Sequence, residues 1–442
     1  MAGSVYDSAL YRDLFRDAEA AQLFTDTAEL RAMLIVEGAL AKVQGGLGLI
    51  PETAAQAIHR ASLELQVDPA GLAAETGESA VVVPALVKAF RAAMQAPEHA
   101  QYVHWGATSQ DIMETGLILR LRQVVALYET RLTALAKALG RLAADHAELP
   151  MAARTWGLAA TPTSFGAVAA GWGRPLLRQR DRLETVKRDL LTVSLSGAAG
   201  TLSAMGGKGP EVRAGLAEAL GLANPGTSWH AERDRITAFS GWIAGTAGSL
   251  AKMGEDLLAM TQSGVQEVRL GQAGGSSTMP QKANPVLPSL IVAIARQAAA
   301  LDVAMQGAAA HRQQRDGAAW MTEWLTLPQM CLGLARALRA AEDLATALTP
   351  RPDRMAAGID DGLGLIYAEA LSFALAGHMP RPEAQAEVKA LCGEAQESGR
   401  PLADLAAARW PDAGLRDIFT PSAQLGTAPA EARAFAEAAA AL

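Results

Sequence analysis

The chain has 442 residues, half of them hydrophobic and 5% aromatic, and a net charge of -7. That length supports two or three domains with a large core, and abundant alanine and leucine with few aromatics favour helices over sheet. The acidic balance, with no basic cluster, argues against nucleic acid as a partner, so an anionic substrate has to be held by a local arrangement.

Cys331 and Cys392 lie outside any CxxC spacing and read as free thiols in a reducing compartment. The N-terminus carries Asp7, Arg12, Asp13, Arg16 and Asp17 where a signal peptide needs an apolar segment. The most apolar stretch, Ser289 to Met305, is interrupted by Arg296 and Asp302. These features predict a cytoplasmic protein without a membrane span.

In chain order, residues 1–110 read as short helices joined by turns. Leu30, Met33, Leu34, Val36, Glu37 and Leu40 keep a helical period up to Gly45-Gly46, and Pro84 after three valines favours a helix start over a strand. Thr108 and Ser109 are suited to cap a long helix whose apolar seam is Leu117, Leu121, Val124, Tyr128, Leu132, Leu135, Leu139 and Leu142. Their hydroxyls could equally hold a carboxylate at the helix N-terminus.

Beyond Pro150, Thr161 as cap and Pro162 at the first position predict a second helix running to about Leu191, kinked at Pro175. The glycine-rich run from Ser196 to Pro210 invites a phosphate-loop reading. It fails on Lys208, which is followed by Gly209 instead of Ser or Thr. Further helices are expected over about 231–268, 286–313 and 318–347, the last kinked at Pro328, followed by shorter ones to Leu442. Helices this long leave too much apolar surface for one subunit to cover, which predicts a bundle shared between subunits. The expected division is an N-terminal helical domain (1–110), a central bundle (111–352) and a small C-terminal helical domain (353–442).

The segment Gly271 to Pro285 cannot hold a helix, yet it separates two helical patterns. Flexible N–H groups, Ser276, Ser277, Lys282 and Asn284 can together hold an anion that develops during a reaction. A solvated linker is the plain alternative, but linkers seldom combine Met-Pro, Lys and Asn-Pro so closely.

The run Gly275-Ser276-Ser277-Thr278-Met279-Pro280-Gln281-Lys282-Ala283-Asn284-Pro285 resembles the GSSxMPxKxNP signature of the fumarase/aspartase superfamily. His104 to Thr115 and Arg154 to Gly166 resemble that superfamily's first and second conserved regions, in order and in spacing. The resemblance implies an all-α fold of long helices flanked by smaller N- and C-terminal helical domains. It also implies a homotetramer with each active site drawn from three subunits, and a carboxylate that gains a second negative charge after an adjacent carbon loses its proton. No metal-ligand cluster or nucleotide fingerprint appears in the sequence, which predicts an enzyme without a cofactor.

Within the superfamily the first region is similar to the branch that holds adenylosuccinate lyases and muconate-lactonising enzymes. A lyase that expels an amine needs a histidine in the second region, and Trp156 stands there, unable to transfer a proton. Ring closure of a carboxylated muconate has no such need, because its reverse expels a carboxylate of pKa about 4. The resemblance then implies Ser276 as the proton-exchanging group, with Lys282 stabilising the charge. Substrate contacts are implied for His104, Thr108, Ser109, Thr155, Trp156, His230, Ser277, Met279, Asn284 and Arg315. Leu158, where the family has glutamine, and Arg312 depart from the pattern, so a substituted muconate is an alternative substrate. An adenylosuccinate-type elimination and a non-enzymatic helical scaffold are the other readings. His59, His99, His146, His311 and His378 read as ordinary surface or core residues.

Overall fold

The computed structural model describes residues 3–271, 274, 279, 282–360 and 362–442. Ser276 and Ser277, both expected in the site, lie outside the described residues.

The chain is built on helices. In order, those that matter here are α1 (Asp26–Gly46), α2 (Val83–Met94), α3 (Ser109–Asp145), α4 (Phe165–Leu190), α5 (Asp234–Met260), α6 (Val286–Ala308) and α7 (Gly317–Ala347). The long helices span 23 to 37 residues, and α5 and α6 end earlier than the sequence pattern suggests. Both α4 and α7 continue through their internal prolines, Pro175 and Pro328.

Two compact units emerge, neither contiguous in sequence. The first comprises Met1–Thr130, Gln179–Gly248 and Ile294–Ala337; the second comprises Arg131–Arg178, Ser249–Ala293 and Leu338–Leu442. Each of the five long helices from α3 to α7 contributes residues to both.

The first unit's core joins Met33, Val36 and Leu40 of α1 to Leu86 and Phe90 of α2 and to Ile112 at the start of α3. Each such side chain, fully withdrawn from water, stabilises the fold by about 1.5–3 kcal/mol. The predicted seam of α3 is buried except at Leu117, and Ile118, Val125 and Ala143 are buried as well. More than one face of α3 is therefore covered.

Residues 150–164 correct the sequence reading. In place of a helix start they form an antiparallel hairpin of β1 (Pro150–Thr155) and β2 (Leu158–Ser164), and α4 begins only at Phe165. Thr161-Pro162 suits a helix start, but here a register shift places Pro162 beside an irregularity opposite Ala152 and Arg154, a position strands allow to proline. Ser164 caps α4 instead, accepting a 3.1 Å bond from Ala167 N–H.

By length and composition alone α6 is apolar enough to cross a membrane despite Arg296 and Asp302, with a mean hydropathy of 1.6, and 39% of its most apolar stretch is buried. Asp302 is held by the hydroxyl of Ser240 at 2.6 Å on α5. Leu325 on α7 and Val303 on α6 are 70% and 73% exposed, so both helices present apolar side chains on the surface of the chain.

Candidate active site

In the first unit the site is built on the N-terminus of α3. Asp111, in its first turn, accepts the backbone N–H of Thr108 at 2.9 Å, as the acidic member of a capping box does. The same carboxylate accepts Ser196 N–H at 2.7 Å and Gly197 N–H at 3.0 Å, and its Oδ1 lies 2.8 Å from Nε2 of His230. The glycine-rich run is thus an anion cradle already occupied by the protein's own carboxylate. The Thr108 and Ser109 hydroxyls carry no hydrogen bond among the described residues.

Next to it lies a buried charge network. Arg233 donates to Glu114 at 2.7 Å and forms a two-pronged bond with Glu323 at 2.8 and 2.6 Å, all three side chains being less than 5% exposed. Burial works against the Arg233 charge, but the two carboxylates outweigh it and raise its pKa. Burial also raises Glu114. Glu323 lies below its ordinary value because Arg233 and the nearby His311 outweigh its burial. The His311 ring is itself buried, 3.8 Å from Glu323, too far for a hydrogen bond. Nothing local in the sequence sets His311 apart from an ordinary surface or core histidine.

Gln110 links this network to Arg315. Its amide donates to Glu114 at 2.7 Å and to the His230 carbonyl at 3.0 Å, while its oxygen accepts Arg315 Nε–H at 2.7 Å. His104, in the left-handed region at φ 64°, has Nδ1 2.7 Å from Glu37 Oε1 and lines a groove of about 480 Å³ with Val87, Lys88, Arg91 and Ser109. His104, Thr108, Ser109, His230 and Arg315 are therefore gathered around one helix start. His230, 2% exposed, is held beneath it by Asp111.

In the second unit, the β1–β2 hairpin turns on Trp156 and Gly157, with φ of 56° and 82°. Two positive φ angles define the turn favoured by two-residue hairpins, and they are costly for tryptophan. The Trp156 ring is fully exposed on the chain and Leu158 is 73% exposed, with exposed Thr155 beside them. Two residues before the turn, Arg154 grips Glu267 with two bonds of 2.9 and 2.8 Å. A Cβ on Gly358 would come within 3.1 Å of that carboxylate, so glycine leaves room for the pair.

Gly274 and Asn284 exchange backbone bonds of 3.1 and 2.8 Å, and a Cβ at Gly274 would meet Val286 at 2.6 Å. Lys282 N–H bonds to the Met279 carbonyl at 3.0 Å. Lys282 and Met279 are exposed and Asn284 is half-buried.

The profile of a family described as "Lyase" matches residues 11–299. The chain belongs to this lyase family of the fumarase/aspartase superfamily, and the expected all-α fold of long helices is the one observed. It is 40% identical over 401 residues, 89% of this chain and 87% of the relative, to 3-carboxy-cis,cis-muconate cycloisomerase of Pseudomonas aeruginosa. The crystal structure of 3-carboxy-cis,cis-muconate lactonizing enzyme from Pseudomonas putida superposes with a TM-score of 0.93 at 34% identity, covering 98% of this chain and 99% of that one. Nitrosuccinate lyase of Streptomyces davaonensis is 36% identical over 447 residues, 96% of this chain and 94% of the relative.

Proposed function

We propose that this chain is an intramolecular lyase that interconverts 3-carboxy-cis,cis-muconate and a carboxymuconolactone in protocatechuate degradation. In the closing direction a substrate carboxylate adds to a conjugated carbon, forming the C–O bond. The adjacent carboxylate takes up the displaced electron pair, and a proton delivered to the carbon beside it completes the product. Ser276 delivers that proton. Lys282 and Asn284 stabilise the doubly charged carboxylate, and Ser277 and Met279 complete the loop's contacts. His104, Thr108, Ser109, Thr155 and Arg315 hold the remaining carboxylates, Trp156 excludes water, and His230 acts through Asp111.

The observation that carries this reading is the chemistry at the hairpin tip. Trp156, Gly157 and Leu158 offer no group able to protonate a departing amine, whereas a carboxylate leaves unprotonated. Nitrosuccinate is the second substrate to consider, because of the nitrosuccinate lyase relative; its nitro group would also leave as a weak base. Purified protein given each compound separately should consume the muconate chromophore fastest. Faster elimination from nitrosuccinate or adenylosuccinate would overturn the assignment, and inactivity on all three would favour a scaffold.

The site groups described above belong to separate units, and we propose that they meet in a cytoplasmic homotetramer, with each site drawn from several subunits. The largely uncovered apolar α6 supports this, since a surface of that kind ordinarily marks an interface. The three-part division at about residues 110 and 352 would then separate a shared central bundle from the peripheral helices. Light scattering should give four times the 46.0 kDa chain mass; a monomer with full activity would overturn the shared site.

A further inference from the structure

Glu37 sits in the middle of α1, its side chain 1% exposed, among Met33, Leu34, Val36 and Leu40 of the first unit's core. A carboxylate at such a position is costly unless something compensates it. Its Oε1 faces His104 Nδ1 at 2.7 Å, and its Oε2 has no hydrogen-bond partner among the described residues. The imidazole is therefore the hydrogen-bonding partner of this buried carboxylate. With Nδ1 so engaged, Nε2 is the ring nitrogen left for a ligand in the groove that His104 lines with Ser109, Lys88 and Arg91.

We propose that Glu37 is a positioning residue for His104: it accepts the Nδ1 proton, fixes the ring, and causes Nε2–H to be offered to a carboxylate of the substrate. The inference rests on the cycloisomerase reading only for the identity of that carboxylate. The charges acting on the ring are Glu37 from α1, Asp111 from α3 and Arg91 from α2, while Lys88 on the groove wall is paired with Glu75. Burial disfavours the imidazolium and Arg91 opposes it, but Glu37 and Asp111 outweigh both and raise the His104 pKa above 6.5. A raised pKa keeps the ring cationic to higher pH, so carboxylate binding should weaken as pH rises through that value.

Glu37→Gln preserves shape and an acceptor oxygen but removes the charge. Carbethoxylation by diethylpyrocarbonate, which requires a neutral imidazole, can be followed at His104 by peptide mass across pH in the intact protein. Its half-maximal rate should fall above pH 6.5 in the wild type and move to lower pH in Glu37→Gln. KM for the muconate should rise about tenfold near neutral pH, the scale of one charge-assisted hydrogen bond, with little change in kcat. Glu37→Asp, which retains the charge, should restore part of both effects and covers the case in which Glu37→Gln does not fold. Glu37→Gln should change nothing further in a His104→Gln background. An unmoved His104 titration overturns the pairing whatever the activity. A moved titration with unchanged KM overturns presentation to substrate. A moved titration in a protein inactive on the muconate supports the pairing and overturns the substrate assignment instead.

Discussion

Replacing Arg233 by methionine should destabilise the protein by about 3–5 kcal/mol, the usual cost of removing one member of a buried ion pair. The size follows from what remains. Glu114 and Glu323, both less than 5% exposed, would face each other's charge without the guanidinium that bonds to each. Glu114 is already raised by its burial, so it would take up a proton before its neighbour, and the loss should be smaller in acid than at neutral pH. Adding Glu114→Gln and Glu323→Gln to Arg233→Met should recover part of the stability, because uncompensated charge is worse than none. Lys252→Ala serves as the contrast. It breaks an exposed pair with Asp256, a kind worth about 1 kcal/mol or less. The measurement is the denaturant midpoint at fixed protomer concentration, since assembly itself shifts apparent stability. A loss below about 1 kcal/mol for Arg233→Met would mean that the network is not what braces the start of α3.

That network also marks where reading the chain stops. The α3 seam was legible because its apolar spacing is local, and nearly every residue in it is buried. The partners of Arg233 are 119 and 90 residues away, and no local pattern can bring them together. Glu37 left a trace, a carboxylate standing in an otherwise apolar helical period, which is the place to look for a buried partner. The hairpin left one too: Gly157 after Trp156 suits a two-residue turn with positive φ, but Thr161-Pro162 fits a helix start equally well by local rules. Strand pairing and the register shift decided against the helix, and neither can be seen in one strand alone.

The candidate site divides along the same line. Motif residues such as Lys282 and Arg315 can be named from order and spacing, whereas the groups that hold them cannot. Arg315 is held by Gln110, and Gln110 by Glu114 and the His230 carbonyl, a chain that crosses three stretches of sequence. Likewise the Arg154–Glu267 clamp holds the hairpin beside the tip that carries Trp156. Sequence identifies the groups that would touch substrate because their chemistry is distinctive. The residues beneath them are ordinary glutamines, glutamates and arginines until the fold joins them.

Replacing Ser276 by alanine should lower turnover at least about a hundredfold, the scale of a positioned acid–base group. A serine hydroxyl cannot exchange a carbon-bound proton unaided; its alkoxide has to be stabilised as it forms, as does the doubly charged carboxylate of the intermediate. Lys282, six residues after Ser276 in the sequence, is the cation proposed for both tasks. Lys282→Met should therefore cost about 3 kcal/mol of transition-state stabilisation, again near a hundredfold. If the two residues act as a unit, the double variant should be little worse than either alone. Independent losses that multiply would mean that Lys282 binds substrate without supporting the serine. Ser277→Ala distinguishes the adjacent hydroxyl: as a substrate contact it should raise KM more than it lowers kcat. Turnover above a tenth of wild type in Ser276→Ala, together with collapse in Ser277→Ala, would transfer the proton to the second serine. Near-normal turnover in both would remove the hydroxyls from the chemistry and require a different acid at the carbon beside the carboxylate.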